Sequence, residues 1–124
     1  MIRGIGTDII EIRSIQRAME QSKRFAQRVF TENEIGYCEN KPNKYQHYAA
    51  RFAAKEAFFK AIGTGWCRGF AWTEVEVAKD EVGRPYIITH GKVKDFLEQE
   101  QITNVQMSLS HVKETATAIV ILEK

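Results

Sequence analysis

The sequence predicts an α+β fold, a single domain spanning 1–124 in which a small antiparallel sheet packs against one long helix and several shorter helices. Three observations predict it. Apolar residues recur at helical spacing between positions 14 and 62, and they alternate with period two in the first twelve residues and again after position 72. A length of 124 residues suits one ordinary core. No internal repeat, low-complexity tract or linker interrupts the chain.

The opening stretch "MIRGIGTDIIEI" reads as a strand, with Gly4, Gly6, Asp8 and Ile10 on one side and Ile5, Thr7, Ile9 and Glu11 on the other. Asp8 shares its face with two glycines, which in strands mark places where a backbone or a ligand comes close. A carboxylate among β-branched residues costs on the order of several kcal/mol unless something pairs with it. Ser14 reads as the N-cap of a first helix, with Ile15, Ala18 and Met19 on one face and Arg13 and Arg17 on another. Ser22 restarts a short helix with Phe25 and Val29 inward and Arg24 and Arg28 outward. "TENE" at 31–34 is a capping box opening a third helix that carries Ile35 and Cys38, and "KPN" at 41–43 ends it.

The longest helix is expected from about Lys44 to Ile62, stopping at Gly63 in a C′ position. Ala50, Ala53, Ala54, Ala57 and Ala61 fall on one arc, a smooth surface for close packing. Arg51, Lys55, Glu56 and Lys60 occupy the opposite half, one acid among three bases, with Phe52 and Phe59 between the two arcs. After the glycine-rich "GTGWCRG", the segments "WTEVEVAKD" and "RPYIIT" around "EVG" read as a hairpin. "GKVKDFLEQEQ" is an amphipathic helix with Val93, Phe96 and Leu97 inward, and "VQMSLSH" and "TATAIVIL" are two antiparallel strands around "VKE".

No apolar run is long enough to span a bilayer, and the N-terminus lacks the basic-then-apolar pattern of an export signal, so the expected location is the cytoplasm, with no membrane partner. Cys38 and Cys67 have no CxxC spacing and no histidine pair beside them, which argues against zinc and leaves them as small apolar fillers. The net charge is +2, but eleven of the eighteen Lys and Arg lie in residues 1–60 against seven of the sixteen Asp and Glu. This bias suits an anionic partner on one surface and equally a solvated helical face. Nucleic acid is disfavoured, because aromatic and basic residues do not interleave along a strand face and the net charge is low for tracking phosphates.

Asp8, Glu56, the "GTG" at 63–65 and His111 are the candidates for chemistry, and each has a plain structural alternative. A strand aspartate can cap a turn, Glu56 with Lys60 is an ordinary i, i+4 pair of about 0.2–0.5 kcal/mol, "GTG" can be a C-cap, and a lone histidine can be structural. Taken together, Asp8 and Glu56 can offer two oxygens to Mg²⁺, which completes its shell with water and substrate phosphate. Arg51, Lys60 and His111 would hold the remaining phosphate charge. The set suits a pyrophosphate substrate. "GIGTD" lacks the GK[ST] ending of a P-loop, and no Ser or Cys has an evident histidine partner, so the nucleophile is expected from a second substrate.

Four segments resemble the holo-[acyl-carrier-protein] synthases, the short class of 4′-phosphopantetheinyl transferases. They are "GIGTDIIEI" (4–12), "KRFAQRVFTENE" (23–34), "RFAAKEAFFKAIGTG" (51–65) and "SLSHVKETATAIVIL" (108–122), in the family's order. The resemblance implies a Mg²⁺-dependent transferase of lipid metabolism, in fatty acid biosynthesis, that moves phosphopantetheine from coenzyme A to a serine of apo acyl carrier protein and releases adenosine 3′,5′-bisphosphate. It also implies trimers with active sites between subunits. By position, Asp8 and Glu56 would be metal ligands, Lys60 catalytic, and Lys60, Gly65, Arg51 and His111 contacts of coenzyme A. Larger relatives carry a second acid two residues after the strand aspartate, where Ile10 stands here, which leaves two protein ligands and more water around the metal.

Carrier proteins are acidic, so Arg13, Arg17, Arg24 and Arg28, with Phe25 as an apolar anchor, would form the docking surface. Family members often have arginine where this chain has Ser14, which bears on carrier preference. A coenzyme A or nucleotide pyrophosphatase, which needs no docking helix, and a non-catalytic module for an anionic partner are the rival readings.

Overall fold

A computed structural model describes residues 1–63 and 69–124. Strand β1 (Ile2–Glu11) runs directly into helix α1 (Ile12–Gln21), which opens three residues ahead of the start that a cap at Ser14 would give. The capping position falls on Glu11, whose side chain makes no cap bond. The Ile12 N–H instead donates to the Glu114 carbonyl at 2.9 Å, so the far end of the chain satisfies an orphan donor of the helix. Helix α2 (Lys23–Val29) follows, then α3 (Glu32–Glu39), which opens on the expected capping box. Thr31 Oγ1 accepts from the Glu34 N–H at 3.2 Å, and the Glu34 carboxylate accepts from the Thr31 N–H at 2.9 Å. Helix α4 (Lys44–Ile62) ends where Gly63 takes a φ of 93°, a left-handed turn that glycine adopts without strain.

Strands β2 (Val75–Lys79) and β3 (Pro85–Thr89), helix α5 (Gly91–Gln99), and strands β4 (Asn104–His111) and β5 (Thr115–Glu123) complete the order. The strands form two sheets where one small sheet was expected: a three-stranded sheet β1-β5-β4 and the hairpin β2-β3, all pairs antiparallel. Trp72–Glu74, read as strand, is a 3-10 turn. The Glu74 carboxylate accepts from the Ala71 N–H at 2.7 Å and the Lys92 N–H at 2.6 Å, so it joins this turn to the start of α5.

Helix α4 lies across the inner face of the three-stranded sheet, on the side of Gly4, Gly6 and Asp8. A Cβ at Gly6 would collide with the Ala57 carbonyl, and one at Gly4 with that of Ala61. Small residues on both surfaces therefore let helix and strand backbones meet. Ala53, Ala54, Ala57, Ala118, Val120 and Leu122 are buried at this contact and merge with Phe58, Val75, Val93 and Phe96 into the main core. A second cluster, including Ile15, Val29, Phe30 and Tyr48, sits under α1 to α3.

Two of the three bases on the half of α4 opposite the alanines are not solvated. Arg51 is 2% exposed and Lys55 not at all. Lys55 Nζ lies 2.8 Å from Glu34 Oε1, with both side chains fully buried. It also donates to the Val75 carbonyl at 2.7 Å and the Trp72 carbonyl at 3.1 Å, while Glu34 Oε2 accepts from the Val77 N–H at 2.8 Å. A helical wheel treats charge as a mark of solvent. Here three acceptors around one ammonium offset its desolvation, and the pair ties α3 and β2 to α4.

Candidate active site

Asp8 occupies the position after Gly4 and Gly6 on the inner face of β1, where the alternation of the strand turns it toward α4. Lys60, on α4, donates to Asp8 Oδ1 at 3.0 Å and to the Thr7 carbonyl at 3.1 Å. The Asp8 side chain is 14% exposed and that of Lys60 is 55% exposed, so the pair opens to solvent. Glu56, one turn before Lys60, is half-buried. Burial and then the neighbouring Asp8 carboxylate push the Glu56 carboxyl above its ordinary range, against the pull of Lys60. The strand acid and the helix acid thus share one field, which the Lys60 ammonium bound to Asp8 partly offsets.

Two carboxylates held on rigid elements form a hard-oxygen donor pair that suits a divalent cation keeping waters or phosphate oxygens as its other ligands. No group of three or more His, Cys, Asp or Glu converges among the described residues, so the chain supplies no closed cage of the zinc type.

Arg51 and His111 lie elsewhere. With His47, Lys79, Gly83 and Leu109 they line a cleft of about 260 Å³ between α4, the hairpin and the end of β4. The five-residue step from Arg51 to Glu56 turns about 140° around the helix. In the sheet, Asp8 and Leu109 both pair with Ala118 from opposite sides of β5, which places β1 and β4 about 10 Å apart. Helix α4 stands between the two places, so one chain does not gather Arg51 and His111 around Asp8, Glu56 and Lys60.

The cleft is built for an anion. Among the described residues its Arg51 guanidinium is buried, its Nε has no hydrogen-bond partner, and its hydrogen bonding is a long 3.4 Å contact to the His47 carbonyl. Burial, and then the charges of Arg51, Lys79, Lys41 and His111, hold the His47 imidazole below its usual pKa. A buried cation with no carboxylate partner among the described residues is costly, and an anionic ligand lowers the cost. Sequence reasoning did not find His47 or Lys79, although His47 and Arg51 stand at i, i+4 on α4 and so share a face.

Arg13, Arg17, Arg24 and Arg28 are exposed on α1 and α2, and none forms an ion pair among the described residues. Phe25 is half-buried, with ring centroids 6.4 Å from Phe30 and 6.2 Å from Phe52, so it is tied into an aromatic row as well as facing outward. Gly65 lies outside the described residues.

The sequence model of the 4′-phosphopantetheinyl transferase superfamily matches residues 4–120. A holo-[acyl-carrier-protein] synthase of Ruminiclostridium cellulolyticum is 48% identical over 120 residues, covering 95% of this chain and 90% of the relative, and one of Solibacter usitatus is 44% identical over 99% of both. The crystal structure of the Neisseria meningitidis holo-[acyl-carrier-protein] synthase superposes with a TM-score of 0.92 at 34% identity, over the whole of both chains. That of Bacillus anthracis, in complex with CoA (3′,5′-ADP), gives 0.80 at 37% identity, over 98% of this chain and 96% of the other. The chain belongs to the 4′-phosphopantetheinyl transferase superfamily, in its holo-[acyl-carrier-protein] synthase branch.

Proposed function

We propose that the chain transfers 4′-phosphopantetheine from coenzyme A to a serine of an apo acyl carrier protein, with Asp8 and Glu56 holding Mg²⁺ and adenosine 3′,5′-bisphosphate leaving. The observation that carries this reading is the convergence of Asp8, Glu56 and Lys60 at one opening between β1 and α4. Bound Mg²⁺ would neutralise charge on the diphosphate oxygens and orient the leaving group. The Lys60 ammonium, free to swing from Asp8, donates a hydrogen bond to the departing phosphate. The serine of the carrier supplies the nucleophile. The exposed arginines of α1 and α2, with Phe25, receive the acidic carrier and steer its approach. The reaction is placed in the cytoplasm, in the supply of carrier for fatty acid synthesis.

Coenzyme A carries a 3′-phosphomonoester besides its diphosphate, and the basic cleft of Arg51 and His111 matches that second anion. Because α4 separates the cleft from Asp8 within one chain, the two halves join across a subunit boundary in this reading, as a ring of three chains allows. The outer face of the sheet supports such an assembly, since Ile5, Ile9 and Ile119 are 55%, 70% and 40% exposed there.

Incubation with coenzyme A, Mg²⁺ and an apo carrier, followed by the mass of the carrier, tests the function. A phosphopantetheine adduct, lost in Asp8→Ala and Glu56→Ala variants that remain folded, is the expected result. Bisphosphate without adduct points to hydrolysis, and no reaction leaves a binding module.

A further inference from the structure

Tyr37, in α3, is not among the residues lining the basic cleft, yet its ring is where two cations of that cleft, Arg51 and Lys79, meet Lys41 from just outside it. Arg51 Cζ lies 4.4 Å from the ring centroid, Lys41 Nζ 4.6 Å and Lys79 Nζ 5.4 Å. The three come from different places: the turn after α3, helix α4 and the end of β2. None of them forms an ion pair among the described residues. His47 adds its ring edge-on at 5.7 Å. Like charges this close repel, and most where Arg51 is buried. The negative face of the tyrosine ring offsets them, and the Tyr37 hydroxyl is a further hydrogen-bond partner of Lys79.

We propose that Tyr37 is a positioning residue of the substrate site, whose ring gathers Lys41, Arg51 and Lys79 into a preorganised receptor for the phosphomonoester of coenzyme A. This rests on the transfer reading above. Without the ring, the lysines disperse into solvent and the guanidinium loses its support, so binding must first reassemble them. The diphosphate is handled at Asp8, Glu56 and Lys60, on the other side of α4, so the chemical step does not depend on Tyr37. The consequence is selectivity: the ring favours coenzyme A over dephospho-coenzyme A, which keeps the diphosphate and pantetheine but lacks the monoester.

Steady-state transfer to one carrier, with coenzyme A and dephospho-coenzyme A as alternative donors, reads this directly. Tyr37→Phe keeps the ring face under Arg51 and Lys41 and loses only the hydroxyl's contact with Lys79, so it stays within about twofold of the parent, whereas Tyr37→Leu raises KM for coenzyme A of order tenfold, the loss expected from two or more cation–π contacts. Neither KM for dephospho-coenzyme A nor kcat with either donor moves. A replacement of Tyr37 by progressively fluorinated phenylalanines keeps the shape while draining the ring face, so KM for coenzyme A climbs with fluorination even if the leucine variant folds poorly. A flat fluorine series, a parallel rise in both KM values, or a phenylalanine variant as poor as leucine overturns the proposal. A parent enzyme that makes the adduct with equal KM for both donors overturns it too and leaves the transfer reading intact, whereas no adduct at all removes that reading.

Discussion

Gly6 of β1 lies so close to the Ala57 carbonyl of α4 that no side chain fits between them. The contact sits beside Asp8 on the strand and Glu56 on the helix, so it sets the distance between the two acids. Gly6→Ala forces the helix away from the sheet, at a cost of about 1–3 kcal/mol or more for overpacking. Transfer falls further than the lost stability explains, because the acids separate. Gly4→Ala strikes the Ala61 carbonyl instead, at the far side from Asp8, and loses comparable stability with less effect on turnover. Urea denaturation alongside the carrier-mass assay checks both, and equal activity losses in the two variants would contradict the spacing argument.

Glu34 and Lys55 are a wholly buried ion pair, with the ammonium also bound to two carbonyls and the carboxylate to two backbone N–H groups. Removing one charge leaves the other buried and uncompensated, which costs about 3–5 kcal/mol. Glu34→Gln and Lys55→Met should each lower the urea midpoint strongly, and the double variant should lose less than the sum of the two. Additive losses would mean that the backbone bonds, not the pair, hold α3 and β2 to α4.

The elements set by local chemistry were legible in the sequence. Thr31 and Glu34 announced the capping box, Gly63 the end of α4, and the alternation around Asp8 the first strand, since each depends on neighbours within a few residues. Glu34 was read only as a capping residue because its second partner, Lys55, comes from another helix. Arg51 and Lys55 were placed on the half of α4 opposite the alanines, and their burial was not legible there, since a wheel sees charge but not the elements that later cover it. The start of α1 was misplaced because Glu114, distant in sequence, supplies its first acceptor. Asp8, Glu56 and Lys60 come together between β1 and α4, whereas within one chain the turn of α4 and the order β1-β5-β4 set Arg51 and His111 apart from them, a separation no spacing in the sequence displays.

His47 is held below its usual pKa by burial and by a surround that is positive: Arg51 on its own helix, Lys79 from β2, Lys41 after α3 and His111 from β4, with the Tyr37 ring edge-on. A base whose pKa is lowered by folding binds fewer protons in the folded chain, so stability rises with pH through that window and falls as the pH drops below about 6.5. Melting temperature should therefore decrease between pH 7 and pH 5 in a part that His47→Gln abolishes. Inorganic phosphate should restore some of the loss, because an anion in the cleft offsets the positive field. An unchanged pH dependence in the glutamine variant would place the effect on another group.

If the site is shared between chains, two inactive variants can repair each other. Asp8→Ala spoils the half of the site on β1, and His111→Ala spoils the half at the end of β4. In a ring where each site takes Asp8 from one chain and His111 from its neighbour, random mixing leaves each half intact with a chance of one in two, so about a quarter of the sites carry both. Equal amounts of the two variants, unfolded together and refolded, should regain about a quarter of the parent's transfer rate, while each alone stays inactive or binds coenzyme A poorly. Light scattering on the same sample reports whether three chains assemble. A mixture no more active than its components, in a sample that does form trimers, would mean that each chain completes its own site, and that α4 moves far enough to bring Arg51 and His111 to Asp8.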